Sequence, residues 1–210
     1  MISNVVRNHI EHVLEHDGAR DLFDRRVMAL ARAQRAGMTA EDLDDLAKMS
    51  RRYVFETLSL LETCSTAGAT AQVGALVEPV CDLALRVFTA LEPEDAAAAG
   101  LFGVLCDAFI ARTLIARMSR HLRLTRGVPL LSSDPHPEMS IIRGILGHAL
   151  AAELEGAAAD LQATPRMRAA LNNAYALQSP LRAGPGGGGW GESCADDMAR
   201  LCEAAGLRVG

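Results

Sequence analysis

Three histidines, His9, His12 and His16, stand at i, i+3 and i+7 in the opening stretch MISNVVRNHIEHVLEHD. On a helix that spacing places their imidazoles within one arc. Three ring nitrogens on one arc are a beginning for a zinc-type site, which also needs a fourth ligand and supporting partners from another element. Glu11 and Glu15 fall on the opposite face and do not complete the set. The plainer reading is a polar margin beside an apolar stripe, so no metal and no other cofactor is expected. His136, Glu138 and His148 form a second set, separated by about three helical turns, with no Glu-x-x-His pairing of the di-iron type. The chain has no Gly-x-Ser-x-Gly and no Ser/His/Asp signature. The glycine run 186–189 is not followed by the Lys-Ser/Thr of a phosphate loop. Asp42, Asp44 and Asp45 read as a solvated helix surface. No enzyme is expected.

The remaining chemistry lies in residues 32–61, RAQRAGMTAEDLDDLAKMSRRYVFETLSLL. Gly37 can end a helix in the left-handed conformation. Thr39 is a good N-cap, and Asp42, three residues on, answers the positive end of the helix dipole. Ser50 is a second N-cap candidate, followed by Arg51, Arg52 and Tyr53. A helix opening on Ser-Arg-Arg-Tyr presents two guanidinium groups and a phenol where a recognition helix enters the major groove. Arginine reads guanine edges and pairs with phosphate.

On these residues the stretch resembles the helix-turn-helix of Cro/C1-type repressors. Ala31-Arg32 and Ala36-Gly37-Met38-Thr39 match its opening, Glu41, Asp42 and Leu43 its first helix, and Met49 to Val54 its turn and second helix. The match spans about 30 of the 210 residues. Asp44 departs from it where a small residue is wanted between the helices, and Lys48 where the turn wants glycine. The resemblance implies a transcriptional regulator binding double-stranded DNA, with Thr39, Ser50, Arg51, Arg52 and Tyr53 as the contacting set. The alternative is one uninterrupted helix from about Ala40 to Thr63, since Leu43, Leu46, Ala47, Ser50, Val54, Thr57, Leu58 and Leu61 share a face. In that case the protein is a helical adaptor or ligand-binding protein acting through protein contacts.

Charge is uneven along the chain. The net charge of −5 argues against broad nucleic-acid binding. Residues 64–111 hold six acids and one arginine, and residues 112–143 hold six arginines and two acids. Arg112, Arg117, Arg120, His121, Arg123 and Arg126 read as one basic helix end. Such an end offsets the helix dipole, or meets an anionic partner, with the acidic 64–111 segment as the nearest candidate.

An apolar fraction of 50% with only 4% aromatics suits close-packed helices and not a β-sandwich. The expected fold is all-α, seven or eight helices around one main core in residues 1–182, a flexible linker at 183–191, and a C-terminal helical arm at 192–210. Cys64, Cys81, Cys106, Cys194 and Cys202 form no Cys-x-x-Cys pair and read as buried thiols of a cytoplasmic protein. No secretion signal is evident at the N-terminus. The most apolar window, Ala96 to Ala111, is broken by Asp107 and too short to span a bilayer, so no membrane partner is expected. Self-association or a protein partner is.

The elements follow from periodicity. One helix is expected from Ser3 to His16 with Ile2, Val5, Val6, His9, Ile10 and Val13 as its stripe, and a second from Ala19 to Ala36. Ser65 to Thr70 reads as a polar break. A helix from Ala71 to Leu91 contains Pro79, which should kink or split it. Glu92-Pro93-Glu94-Asp95 opens the longest helix, to about Leu124, in which Gly100 and Gly103 mark a close helix crossing. A loop at 127–137 precedes a helix from Glu138 to Gln162, and Thr164-Pro165 opens another.

Overall fold

The computed structural model describes residues 2–16, 18–34, 37–70, 74–91, 93–126, 136–165 and 167–169, together with Arg200 and Cys202. These form an all-α multi-helix bundle. Among the described residues seven helices follow in order: α1 (Ile2–Glu15), α2 (Asp21–Ala33), α3 (Ala40–Thr70), α4 (Gly74–Val87), α5 (Pro93–Arg126), α6 (His136–Leu146) and α7 (His148–Gln162). Residues 165 and 167–169 are helical as well, as expected after Thr164-Pro165. The expected linker at 183–191 lies outside the described residues. So does the C-terminal arm except for Arg200 and Cys202, the latter fully buried.

The central element is α5, which touches each of the other six helices. Leu101, Phe102, Leu105, Phe109 and Leu114 are buried along it, with Ala108, Ala111, Ile115, Met118 and Leu122. The sequence reading stopped its apolar window at Ala111. Within Glu94–Thr125 the helix instead holds an 18-residue window apolar enough to cross a membrane by length and composition, and 67% of that window is buried inside the fold. Burial on all sides is what lets a helix be apolar all round without a lipid environment.

Local signals explain most boundaries. At the start of α3, Thr39 and Asp42 form a reciprocal capping box. The Thr39 hydroxyl oxygen accepts from the Asp42 N–H at 3.1 Å, while the Asp42 carboxylate accepts from the Thr39 N–H at 2.8 Å and from its hydroxyl at 2.7 Å. Those bonds from Thr39 hold the Asp42 carboxyl below its ordinary range.

Five expectations need correction. Val5 is 63% exposed, and Leu14 takes its place in the α1 stripe beside Val6, Ile10 and Val13. Ser65 to Thr70 is the last part of α3 and not a break. The hydroxyls of Thr63 and Thr66 donate to the carbonyls of Ser59 and Glu62 one turn back, so the polar residues satisfy themselves on the helix. Gly68 is needed there because a Cβ would lie 2.9 Å from the Val77 Cβ of α4. Of the kink or split expected at Pro79, the split does not occur: α4 runs through it as one helix. The expected helix from Glu138 to Gln162 is two, divided at Gly147, whose φ of +83° no β-carbon-bearing residue takes easily. Of Gly100 and Gly103, only Gly100 meets another element. It sits at φ +54° and ψ −143°, a kink inside α5, and the Leu101 N–H donates to the Ala19 carbonyl between α1 and α2 at 2.7 Å.

Candidate functional site

Two features of α5 carry chemistry, one buried and one exposed. The buried one is Arg112, 1% exposed and flanked in sequence by Phe109, Ile110, Leu114 and Ile115. A guanidinium cannot be neutralised by losing its proton, so at this depth it needs partners. Its Nε donates to the Thr57 hydroxyl at 2.9 Å, and that hydroxyl donates onward to the Tyr53 carbonyl at 2.8 Å. Its Nη1 donates to the buried Glu138 carboxylate of α6. Its Nη2 faces the Glu56 carboxylate at 3.9 Å, and the plane lies over the Tyr53 ring, 4.2 Å from the centroid. Arg112 therefore ties α5 to α3 and α6 by charge, hydrogen bond and cation–π contact. Burial pushes the Tyr53 phenol above its ordinary range.

Asp107, also on α5, has no hydrogen bond or ion pair to a described residue, and burial alone pushes its carboxyl up to about 7. The unfolded chain loses this proton near the ordinary 3.8, the folded chain near 7. Stability therefore falls as pH rises through that window and levels off above it. Asp107→Asn is expected to melt with the parent near pH 4 and several degrees above it at pH 8; equal melting at both would show the carboxyl to be solvated.

The exposed feature is the last part of α5. Arg117, Arg120 and Arg123 are exposed, and none has a hydrogen bond, ion pair or ring contact to a described residue. At 100° per residue they span one arc of the helix, and Leu124 falls between Arg117 and Arg120. Leu124 is 76% exposed, more than any other large apolar side chain described. Other arginines are engaged: Arg20 with Asp24 and Asp44, Arg143 with Glu155, Arg7 and Arg26 over the rings of Phe55 and Phe102. The sequence reading pooled Arg112 with this basic end; burial separates it. Arg117, Arg120 and Arg123 likewise make no pair with the described acids of the 64–111 segment.

The α3 set is dispersed. Helix α3 continues through Lys48–Ser50 with no turn, which is the course of the uninterrupted-helix alternative. Leu46, Ala47, Ser50, Val54, Leu58 and Leu61 lie on one buried face, so nothing favours breaking the helix there. Lys48 is exposed and paired with Asp45 at 2.9 Å. Asp44, in the place where the resemblance wants a small residue, binds Arg20 just ahead of α2, which holds its carboxyl low. Thr39 is occupied as the cap. Ser50 and Tyr53 are fully buried and unavailable to a duplex in this arrangement. Arg51 is exposed and donates to the Leu14 carbonyl near the end of α1 at 3.0 Å; Arg52 is exposed and pairs with Glu56 at 2.7 Å.

No family model matches this chain, and neither a curated protein nor a solved structure is significantly similar to it. Function has to be read from the geometry.

Of the histidine set, His9 is half-buried and His12 and His16 are exposed. Among the described residues no three His, Cys, Asp or Glu side chains gather as a metal would need. His148 is exposed, the side chain of His136 lies outside the described residues, and Glu138 belongs to Arg112. The thiols of Cys64, Cys81 and Cys106 are pushed up to about 12 by burial, as expected for inert core cysteines. Sequence reasoning missed the Arg112 cluster. Its signal was available: one arginine inside AFIARTLIA, where an apolar helix has no reason to carry a charge that lacks a partner.

Proposed function

We propose that this protein is a non-enzymatic helical adaptor that takes an acidic protein partner on the exposed end of α5. The observation that carries this reading is the trio Arg117, Arg120 and Arg123, which bond to no described residue and are arrayed around an exposed leucine. Three like charges on one helical face repel, and an acidic partner relieves that repulsion beyond what the helix dipole does. Leu124 adds an apolar anchor, which suits an amphipathic acidic segment better than a phosphate backbone. The Arg112 cross-link lies five residues upstream and fixes the direction in which α5 leaves the core, so the face is held before a partner arrives.

Double-stranded DNA is the competing partner. Arg51 and Arg52 would serve it on α3, but Glu41, Asp42, Asp44 and Asp45 line the same helix and make the local field negative. Fluorescence anisotropy separates the two. A labelled acidic amphipathic peptide is expected to bind and to be lost in Arg120→Ala/Arg123→Ala. Retention of a duplex instead, with affinity falling steeply in salt and abolished by Arg51→Ala/Arg52→Ala, would replace this reading with the DNA one.

A further inference from the structure

Three large apolar side chains stand out as exposed among the described residues: Val5 at 63%, Leu91 at 47% and Leu124 at 76%. Two of them mark the two ends of α5. Leu124 sits among Arg117, Arg120 and Arg123. Leu91 sits just ahead of the helix start at Pro93 and is followed by Glu94 and Asp95, both exposed and neither bonded to a described residue. One end is thus a leucine with carboxylates, and the other a leucine with guanidinium groups, that bond to no described residue.

We infer that the partner of the basic end is a second copy of this chain, docked by the acidic start of its own α5. The inference rests on the reading of the Arg117–Leu124 face as a docking site and names its occupant. The two patches match in charge and in having one apolar side chain each. They cannot meet within one molecule: Leu124 lies roughly 36 Å along α5 beyond the Gly100 kink at 1.5 Å per residue, farther than the short stretch from Leu91 to Gly100 can reach back. Each copy therefore carries one basic and one acidic patch, and a second copy can join them. Two copies close on a twofold axis if both patches face one way, and otherwise the same contact repeats head to tail.

Dipole compensation is the competing account, since acids at a helix start and bases at its end are favourable without any partner. It explains the charges and leaves Leu91 and Leu124 unexplained. It also predicts no dependence of mass on salt.

The full-length chain is measured by sedimentation velocity at about 0.01 M and about 1 M salt, where the Debye length is roughly 30 Å and 3 Å. A species of at least twice the monomer mass at low salt, falling to monomer at high salt, is expected. Arg120→Glu/Arg123→Glu and Glu94→Arg/Asp95→Arg should each be monomeric at low salt with helical circular dichroism retained. Mixed in equal amounts they should associate again, because one variant is acidic at both ends and the other basic at both. A parent chain that is monomeric at low salt, an assembly indifferent to both reversals, or a mixture that stays monomeric overturns the inference. Binding of the acidic peptide to the parent, assayed separately, then shows whether the docking face itself survives with another occupant.

Discussion

Gly100→Ala is expected to be among the most damaging single substitutions in this chain, destabilising it by about 3 kcal/mol or more. Two independent effects act at this position. The backbone stands at φ +54° and ψ −143°, a region that residues with a β-carbon rarely enter. A Cβ there would lie 2.0 Å from the Ala19 carbonyl oxygen and 2.9 Å from the Ala19 Cα, and backbone cannot swing aside as a side chain does. Relief would require the α1–α2 corner to withdraw, breaking the Leu101 N–H to Ala19 bond and disturbing Phe23 and Val27, which α2 buries in the core. Gly156→Ala is the matched control. Gly156 is exposed inside α7 with nothing within 4 Å of the added carbon, so alanine there should stabilise by about 0.5–1 kcal/mol. Urea unfolding of both variants decides the matter. A Gly100→Ala midpoint at or above that of the parent would mean that α5 can straighten without loss.

That residue also shows what the sequence made legible and what it did not. The all-α class, the helices α1 and α2, and the cap of α3 rest on local features: apolar spacing, and Thr39 three residues before Asp42. Such features act within a turn or two and are visible in the string. Gly100 was visible as a glycine in a helical stretch, but the reason for it is Ala19, far away in sequence, and no periodicity encodes that contact. Gly147 is similar: its role is to turn the chain beside Leu30 of α2. The polar stretch from Ser65 to Thr70 misled for the opposite reason. Composition suggested a break, while the hydroxyls bond to their own helix and Gly68 admits Val77. For the candidate site, the arginines of α5 were legible as a group. Their division into one buried residue and three exposed ones was not, because it depends on which face meets α3 and α6. The Ser50-Arg51-Arg52-Tyr53 run had a plausible surface chemistry, yet its first and last members lie on the buried face of one long helix.

Removing Arg112 is the second substitution expected to have a large effect, and it tests whether the buried cluster is held by charge or by packing. Arg112→Met keeps most of the side-chain volume and deletes the guanidinium. It strips Glu138 of its ion pair at a depth where a carboxylate is poorly solvated, and leaves the Thr57 hydroxyl without its donor. Breaking a buried pair on one side costs about 3–5 kcal/mol. Glu138→Leu should cost less, since Arg112 retains Thr57, the Tyr53 ring and Glu56 at 3.9 Å. The double variant Arg112→Met/Glu138→Leu is expected to recover most of the loss of Arg112→Met, because no charge is then left unpaired between these two positions. Chemical denaturation of the parent, the two single variants and the double variant gives the coupling directly. A value above about 1 kcal/mol assigns the interaction to the ion pair, whereas additive losses would mean that Arg112 acts only as a filler beside Tyr53. The same double variant bears on the docking face. If Arg112 fixes the direction of the α5 end by pairing, a double variant that folds well should still hold the acidic peptide less tightly than the parent. Unchanged affinity would show that hydrophobic packing of α5 alone positions Arg117, Arg120 and Arg123.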